Sequence, residues 1–251
     1  MAQLFHKYHS AISVRIWLIL LIPFLSSETS TAQLSIDKLD YSRIPQKQII
    51  EFVEQQKKSG HKRFSDFIPK CFLAQDSAQY RKITTSYLIH GKADDVWNEY
   101  LSIQPSQAYG GRIVGFGFLY SKDEDRIIYK EDKFDKMKVG QLFFFNIKLL
   151  GGIRNLGVAD EVTAIDENQK LIRFCYLENG KSEGTQEIQL SGTEDGFTVI
   201  THNTWYKSNS RFRDSMLYPF FHKRTVNEYH HNIRERIENT ELVLTEVCNE
   251  N

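Results

Sequence analysis

An excess of charge of either sign is the first thing this sequence lacks. Lys+Arg and Asp+Glu each number 32 in 251 residues. A nucleic-acid-binding chain shows a basic excess, and a chain held on an anionic membrane shows a polybasic run; neither is present. Cysteine is scarce as well. The three residues Cys71, Cys175 and Cys248 contain no C-x-x-C pair, so neither a zinc site nor a thioredoxin-like redox pair is indicated. An odd count cannot pair fully within one chain, and Cys175, inside an apolar strand, reads as a buried free thiol. Gly110-Gly111 lacks the spacing of a phosphate loop, and no helix follows Gly115 and Gly117 as a dinucleotide fingerprint requires. The arrangement H-E-x-x-H is absent, and His222 and His230 are eight residues apart where a metal asks for i,i+4 and a carboxylate. No metal, cofactor, nucleic acid or covalent nucleophile is therefore expected. No internal repeat is visible.

What is there begins with an export pattern. Lys7 and Arg15 precede a short apolar run at 16–25, interrupted by Pro23 and followed by Ser30-Thr31-Ala32. Charged start, apolar middle and small-residue end describe a secretory signal. The run is too short for a comfortable membrane span. The reading is a signal peptide over 1–32, a chain exported to the periplasm or the extracellular space, and no stable membrane anchor after cleavage. Loss of Lys7, Arg15 and Glu28 leaves 30 positive and 31 negative side chains. Residues 33–79 read as a helical lead-in packed on the main domain, with a helix over 45–58 stopped by Ser59-Gly60. Residues 80–251 read as that domain.

The main domain is organised around its last element. Val226, Tyr229, Ile233 and Ile237 recur three or four residues apart, which predicts an amphipathic helix over about 218–240 with one apolar face. Phe221 and His222 extend the stripe, Arg224, Asn227, Glu228 and Arg236 fall on the other faces, and Pro219 sits in the first turn, where its missing N–H costs nothing. A one-sided stripe needs a partner surface. Ahead of it come a strand at 80–90, a helix from Asp94 limited by Pro105, and about six strands at short intervals with tight turns such as Thr193-Glu194-Asp195-Gly196. That spacing predicts a curved, mostly antiparallel sheet.

Strand, helix, strands and long C-terminal helix is the helix-grip order, α+β, a curved antiparallel sheet wrapped around the helix. LIRFCYLENG at 171–180, SEGTQEI at 182–188 and the helix opening at Tyr218-Pro219 resemble an uncharacterised bacterial and plant branch of the START-like (SRPBCC) superfamily over roughly 140–237. The branch carries acidic residues after the position of Gly184, where this chain has Thr185 and Gln186. The resemblance implies a cavity between sheet and helix that takes a small hydrophobic or amphipathic ligand. The cavity residues expected from it are Phe143, Phe145, Phe174, Tyr176, His202 and Trp205 from the strands and Tyr218, His222 and Tyr229 from the helix, aromatic walls with a few polar tips, around at least about 300 Å³. Each has a blander reading as core packing, and His202 reads as a neutral, hydrogen-bonded strand histidine before a catalytic base. Asp160, Glu161 and Arg154, beside glycine breaks, read as solvated turn charges. Arg173 needs a partner such as Glu187 if it faces inward. Two other functions remain open: a cavity hydrolase, cyclase or isomerase using His202 or Glu187, and an envelope interaction protein with a filled core.

Overall fold

The computed structural model describes residues 33–249, with side chains to residue 239; the segment at 1–32 expected to act as a signal peptide and the side chain of Cys248 lie outside the described residues. Eight strands form one antiparallel sheet: β1 (Arg81–His90), β2 (Val114–Ser121), β3 (Arg126–Tyr129), β4 (Gln141–Leu149), β5 (Arg154–Asp166), β6 (Leu171–Tyr176), β7 (Glu183–Gly192) and β8 (Phe197–Lys207). Their spatial order is β1-β8-β7-β6-β5-β4-β2-β3. Seven strands follow β1 where about six were expected, the short β3 falling on the brief stretch read at 127–129. Helices α2 (Ala93–Ser102) and α3 (Pro105–Ala108) fill the crossover from β1 to β2, and α4 (Tyr218–Asn249) ends the order. The architecture is the helix-grip arrangement. No helix among the described residues is long and apolar enough to cross a membrane.

The stripe on α4 is buried as its spacing requires. Val226, Tyr229, Ile233 and Ile237 are buried against the sheet and α2, each contributing on the order of 1.5–3 kcal/mol. A π-helical turn, Arg213–Leu217, leads into α4. It is pinned by Asp214, whose carboxylate accepts from the Ser208 N–H at 3.0 Å and whose carbonyl accepts from the Tyr206 hydroxyl at 2.8 Å. Two residues of the outer face of α4 are not merely solvated. The Glu228 carboxylate accepts from the backbone N–H groups of Arg112, Ile113 and Val114 at 2.7–3.1 Å, holding the helix to the start of β2. A Cβ on Gly111 would lie 2.2 Å from that carboxyl carbon, so a side chain there would push the carboxylate off its three donors. Arg236 is exposed but donates to Gln107 at 2.8 Å and pairs with Glu99.

Residues 33–79 cover the other side of the sheet. Helix α1 (Lys47–Lys58) buries Ile49, Phe52 and Val53, which with Phe64 and Phe67 pack on Phe118, Tyr120, Phe144 and Ala159 of β2, β4 and β5. Further along, Lys70 N–H donates to Tyr176 O at 2.7 Å and Gly184 N–H to Lys70 O at 2.9 Å. Gly184 has φ of +136°, and a Cβ there would strike Trp205 O at 1.9 Å; only glycine lets β7 pass β8 there while receiving the lead-in. Cys175 is not a free thiol: it is joined to Cys71 by a disulfide spanning 104 residues, with Cα atoms 4.9 Å apart. Nothing in the local spacing announced this pair, because Cys71 comes to β6 only when the lead-in folds back across the sheet.

Candidate functional site: a cavity under the C-terminal helix

Alternation in each strand decides which side chains face α4. On β4 these are Phe143, Phe145 and Ile147; on β6, Ile172, Phe174 and Tyr176; on β7, Gln186 and Ile188; on β8, Ile200, His202, Thr204 and Tyr206. Between them and the first half of α4 lies a cavity of about 180 Å³. It is smaller than the roughly 300 Å³ foreseen from the resemblance, because tyrosine rings just after α3 and on α4 lean into it: Tyr109 stacks on Phe145 with centroids 4.9 Å apart and lies tilted against Tyr229 at 5.0 Å. Its walls are mostly apolar, and the exposed Lys181 and Leu217 among its lining residues place its mouth between the β6–β7 turn and the start of α4.

Seven of the nine residues foreseen for the site line this cavity: Phe145, Phe174, Tyr176, His202, Tyr218, His222 and Tyr229. The other two do not. Phe143 faces inward but is spent on packing against Tyr109 and Phe174, at centroid distances of 5.8 and 6.3 Å. Trp205 points to the opposite side of the sheet, where it stacks on Phe72 of the lead-in at 5.3 Å and carries Lys82 over its ring. An odd separation of three from His202 on one strand puts the two on opposite faces. Glu187 is likewise outside the cavity. It pairs with Arg173 at 2.8 Å on the outer face, so neither residue meets a ligand or serves cavity chemistry.

The residue that the sequence reading misplaced is Asp160. It is 3% exposed and lines the cavity from the middle of β5; it is not a solvated turn charge. Its strand neighbours carried the signal: Val158, Asp160 and Val162 share a parity, so the carboxylate belongs to the inner face. Burial pushes its pKa up to about 8, against a lowering hydrogen bond from Gln186. Glu161 points the other way and is paired with Lys122 at 2.7 Å. Arg154 is exposed at the start of β5.

Asp160 ends a directed chain of hydrogen bonds. The Gln186 amide donates to Asp160 Oδ2 at 3.0 Å, so its carbonyl faces His202 Nε2 at 3.2 Å, and that nitrogen carries the proton. His202 Nδ1 then accepts from His230 Nε2 at 2.9 Å, and His230 Nδ1 accepts from the Tyr100 hydroxyl at 2.6 Å. His222 Nε2 is satisfied by Thr204 Oγ1 at 2.9 Å, and the Tyr176 and Tyr218 hydroxyls meet at 2.5 Å. Burial holds all three rings neutral. It pushes His222 down to about 4 and His230 down to about 3, and lowers His202 well below the usual histidine range with further help from its two neighbours. Among the described residues no three or more His, Cys, Asp or Glu side chains are placed to hold a metal ion. Two buried polar atoms of the lining stay outside the chain: Asp160 Oδ1 and Tyr229 Oη make no hydrogen bond.

No protein-family model matches the chain, and no curated protein does. Solved structures with similar folds include the ginseng major latex-like protein 151 of Panax ginseng, 15% identical over 63% of this chain and 97% of that one, with a TM-score of 0.45. Norcoclaurine synthase from Thalictrum flavum, solved with dopamine and hydroxybenzaldehyde, is 13% identical over 68% and 95%, with a TM-score of 0.48. A START superfamily protein from Mycobacterium smegmatis is 10% identical over 63% and 98%, with a TM-score of 0.46. At these identities and scores they carry nothing about the chemistry of this chain.

Proposed function

We propose that the protein is an exported START-like module that binds a small hydrophobic or amphipathic molecule in the cavity between its sheet and α4. The observation that carries the reading is the cavity itself: about 180 Å³ of space with aromatic walls and a few polar tips, kept open beside a sheet whose other face is closely packed. Small-molecule sites are concave, largely apolar and furnished with a few placed polar groups, and an apolar cavity of about 150 Å³ takes a guest the size of benzene. Export is supported by the charged, apolar and small-residue pattern ending at Ala32 and by the Cys71–Cys175 disulfide, a bond that persists in oxidising compartments.

An apolar fluorescent probe of one or two rings should bind the folded protein saturably at one site. Replacing Tyr229 with Ala should change its affinity more than replacing Tyr129, which lies on the outer face. Absence of binding by any such probe would leave the cavity as a packing defect of an interaction protein. N-terminal sequencing of the exported protein should begin at Gln33, and an intact Met1 would reject export with cleavage there. A second reading, a cavity enzyme, has one observation in its favour: a buried carboxyl with its pKa raised to about 8 is suited to proton transfer near neutrality.

A further inference from the structure

The cavity lining holds one carboxyl, Asp160, and it has no partner of opposite charge among the described residues. Asp160 is buried, its Oδ2 is occupied by Gln186, and its Oδ1 is bare. A buried polar atom without a hydrogen bond carries a cost that native folds avoid unless it is used. The groups around it supply no cation. Gln186 and His202 belong to the chain of neutral donors, while Tyr109, Tyr176 and Tyr218 lie close enough for an Asp160 charge to raise their own pKa values. The cationic lining residues Lys181 and Arg213 stand at the mouth, and Arg213 already donates to Lys181 O, Ser208 Oγ and Asn209 Oδ1. A buried carboxylate with no cation beside it suits an ammonium group, which supplies both the missing charge and a donor for the bare oxygen.

We propose that the ligand is a small amphipathic amine, its ammonium group seated on Asp160 Oδ1 and its apolar body against Phe145, Phe174 and Ile188. This rests on the cavity-binding reading and specifies its ligand class. The empty site keeps a proton on Asp160 at neutral pH, so binding the ammonium form releases that proton to solvent. The histidines and tyrosines of the lining are silent between pH 6 and 8, the histidines lying below that range and the tyrosines above it.

Isothermal titration of the mature chain with benzylamine, benzyl alcohol and toluene, matched in size, tests this. Benzylamine should bind at least tenfold more tightly than benzyl alcohol at pH 8. Its affinity should fall about tenfold per pH unit from 8 to 6, with about one proton released at pH 6.5 as judged in buffers of different ionisation enthalpy. The alcohol and toluene should show no such slope. Asp160→Asn should abolish the amine preference and the slope while toluene still binds. If that variant does not fold, the slope and proton release of the unaltered protein decide the matter. Equal affinities with flat pH profiles would overturn the amine assignment and leave cavity binding standing. Tighter binding of the alcohol would do the same. No binding by any of the three would overturn both.

Discussion

The two faces of this sheet are built from the same class of side chain and come out differently. On the outer face Phe52, Phe64, Phe67, Phe118 and Phe144 interlock, with Phe118 stacked on Phe144 at 4.1 Å and Phe64 stacked on Tyr120 at 5.0 Å. At the cavity, phenylalanines are joined by the tyrosines Tyr109, Tyr176, Tyr218 and Tyr229, with three histidines beside them. A phenylalanine has no polar atom and can be enclosed on every side. A tyrosine or histidine must bring its polar tip to a partner, which fixes where the ring can lie. The Tyr176 and Tyr218 tips are tied to each other, His202 to His230 and Gln186, and His222 to Thr204, so those rings stand as walls. Aromatic content alone does not separate a core from a site; the hydrogen-bonded polar tips do.

The largest effect that sharpens this contrast is expected at Phe144. Phe144→Ala should cost about 3–5 kcal/mol in denaturant unfolding, the range for emptying a filled aromatic position. Phe145→Ala, one residue along and facing the cavity, should cost less because part of its surface already lacks contacts, and it should alter probe affinity. Equal costs would mean the two faces are packed alike. Reducing the Cys71–Cys175 disulfide, which sits on the outer side, should lower stability by about 2–4 kcal/mol, and probe affinity in the folded protein should not change.

The pH dependence of stability belongs to the inner face. The histidines His202, His222 and His230 have folded pKa values below the unfolded value of about 6.5. They favour the fold fully above that pH, and their contribution is lost as pH falls toward about 4. Asp160 is raised above its unfolded value, so its contribution is complete at low pH and is lost as pH rises toward about 8. Between pH 4 and 6.5 the three histidines outweigh the one carboxyl, and stability should rise by at most about 2.7 kcal/mol per pH unit. Above pH 6.5 Asp160 acts alone and stability should fall by at most about 1.4 kcal/mol per unit. A maximum near pH 6.5 in thermal or urea unfolding is the expected result, and Asp160→Asn should remove the alkaline limb. A profile flat from pH 5 to 8 would show that these groups are not buried as described. The smallest effects are expected from Tyr229→Phe and Trp205→Phe. Both should stay within about 0.5–1 kcal/mol in stability, while only the first alters binding of a polar ligand.

The element order, the curved sheet and the buried stripe of α4 were legible because spacing of apolar residues reports directly on which face is covered. The run at 142–146 was not, because Leu142 and Phe144 serve one core while Phe143 and Phe145 serve the other, and a strand buried on both faces has no alternation to read. Asp160 was legible in principle from the parity of Val158 and Val162. The nearby glycines drew the reading toward a turn. The disulfide and the face of Trp205 depended on the lead-in crossing β6, β7 and β8, a long-range event that no local pattern encodes.

That crossing also sets an order in time. The segment at 33–79 leaves the ribosome before any surface it covers exists. Leu34 N–H waits for Asp125, 91 residues on, Asp40 N–H for the Tyr129 hydroxyl, Gln56 for Glu178 O and Phe72 N–H for Thr185. Until β2, β4 and β5 have paired, Phe64 and Phe67 have no sheet to lie on, and Cys71 has no partner until β6 is made. The first-made part of the domain is therefore the last to be placed, and throughout that interval it is a sticky apolar strand of chain in need of shelter from its neighbours.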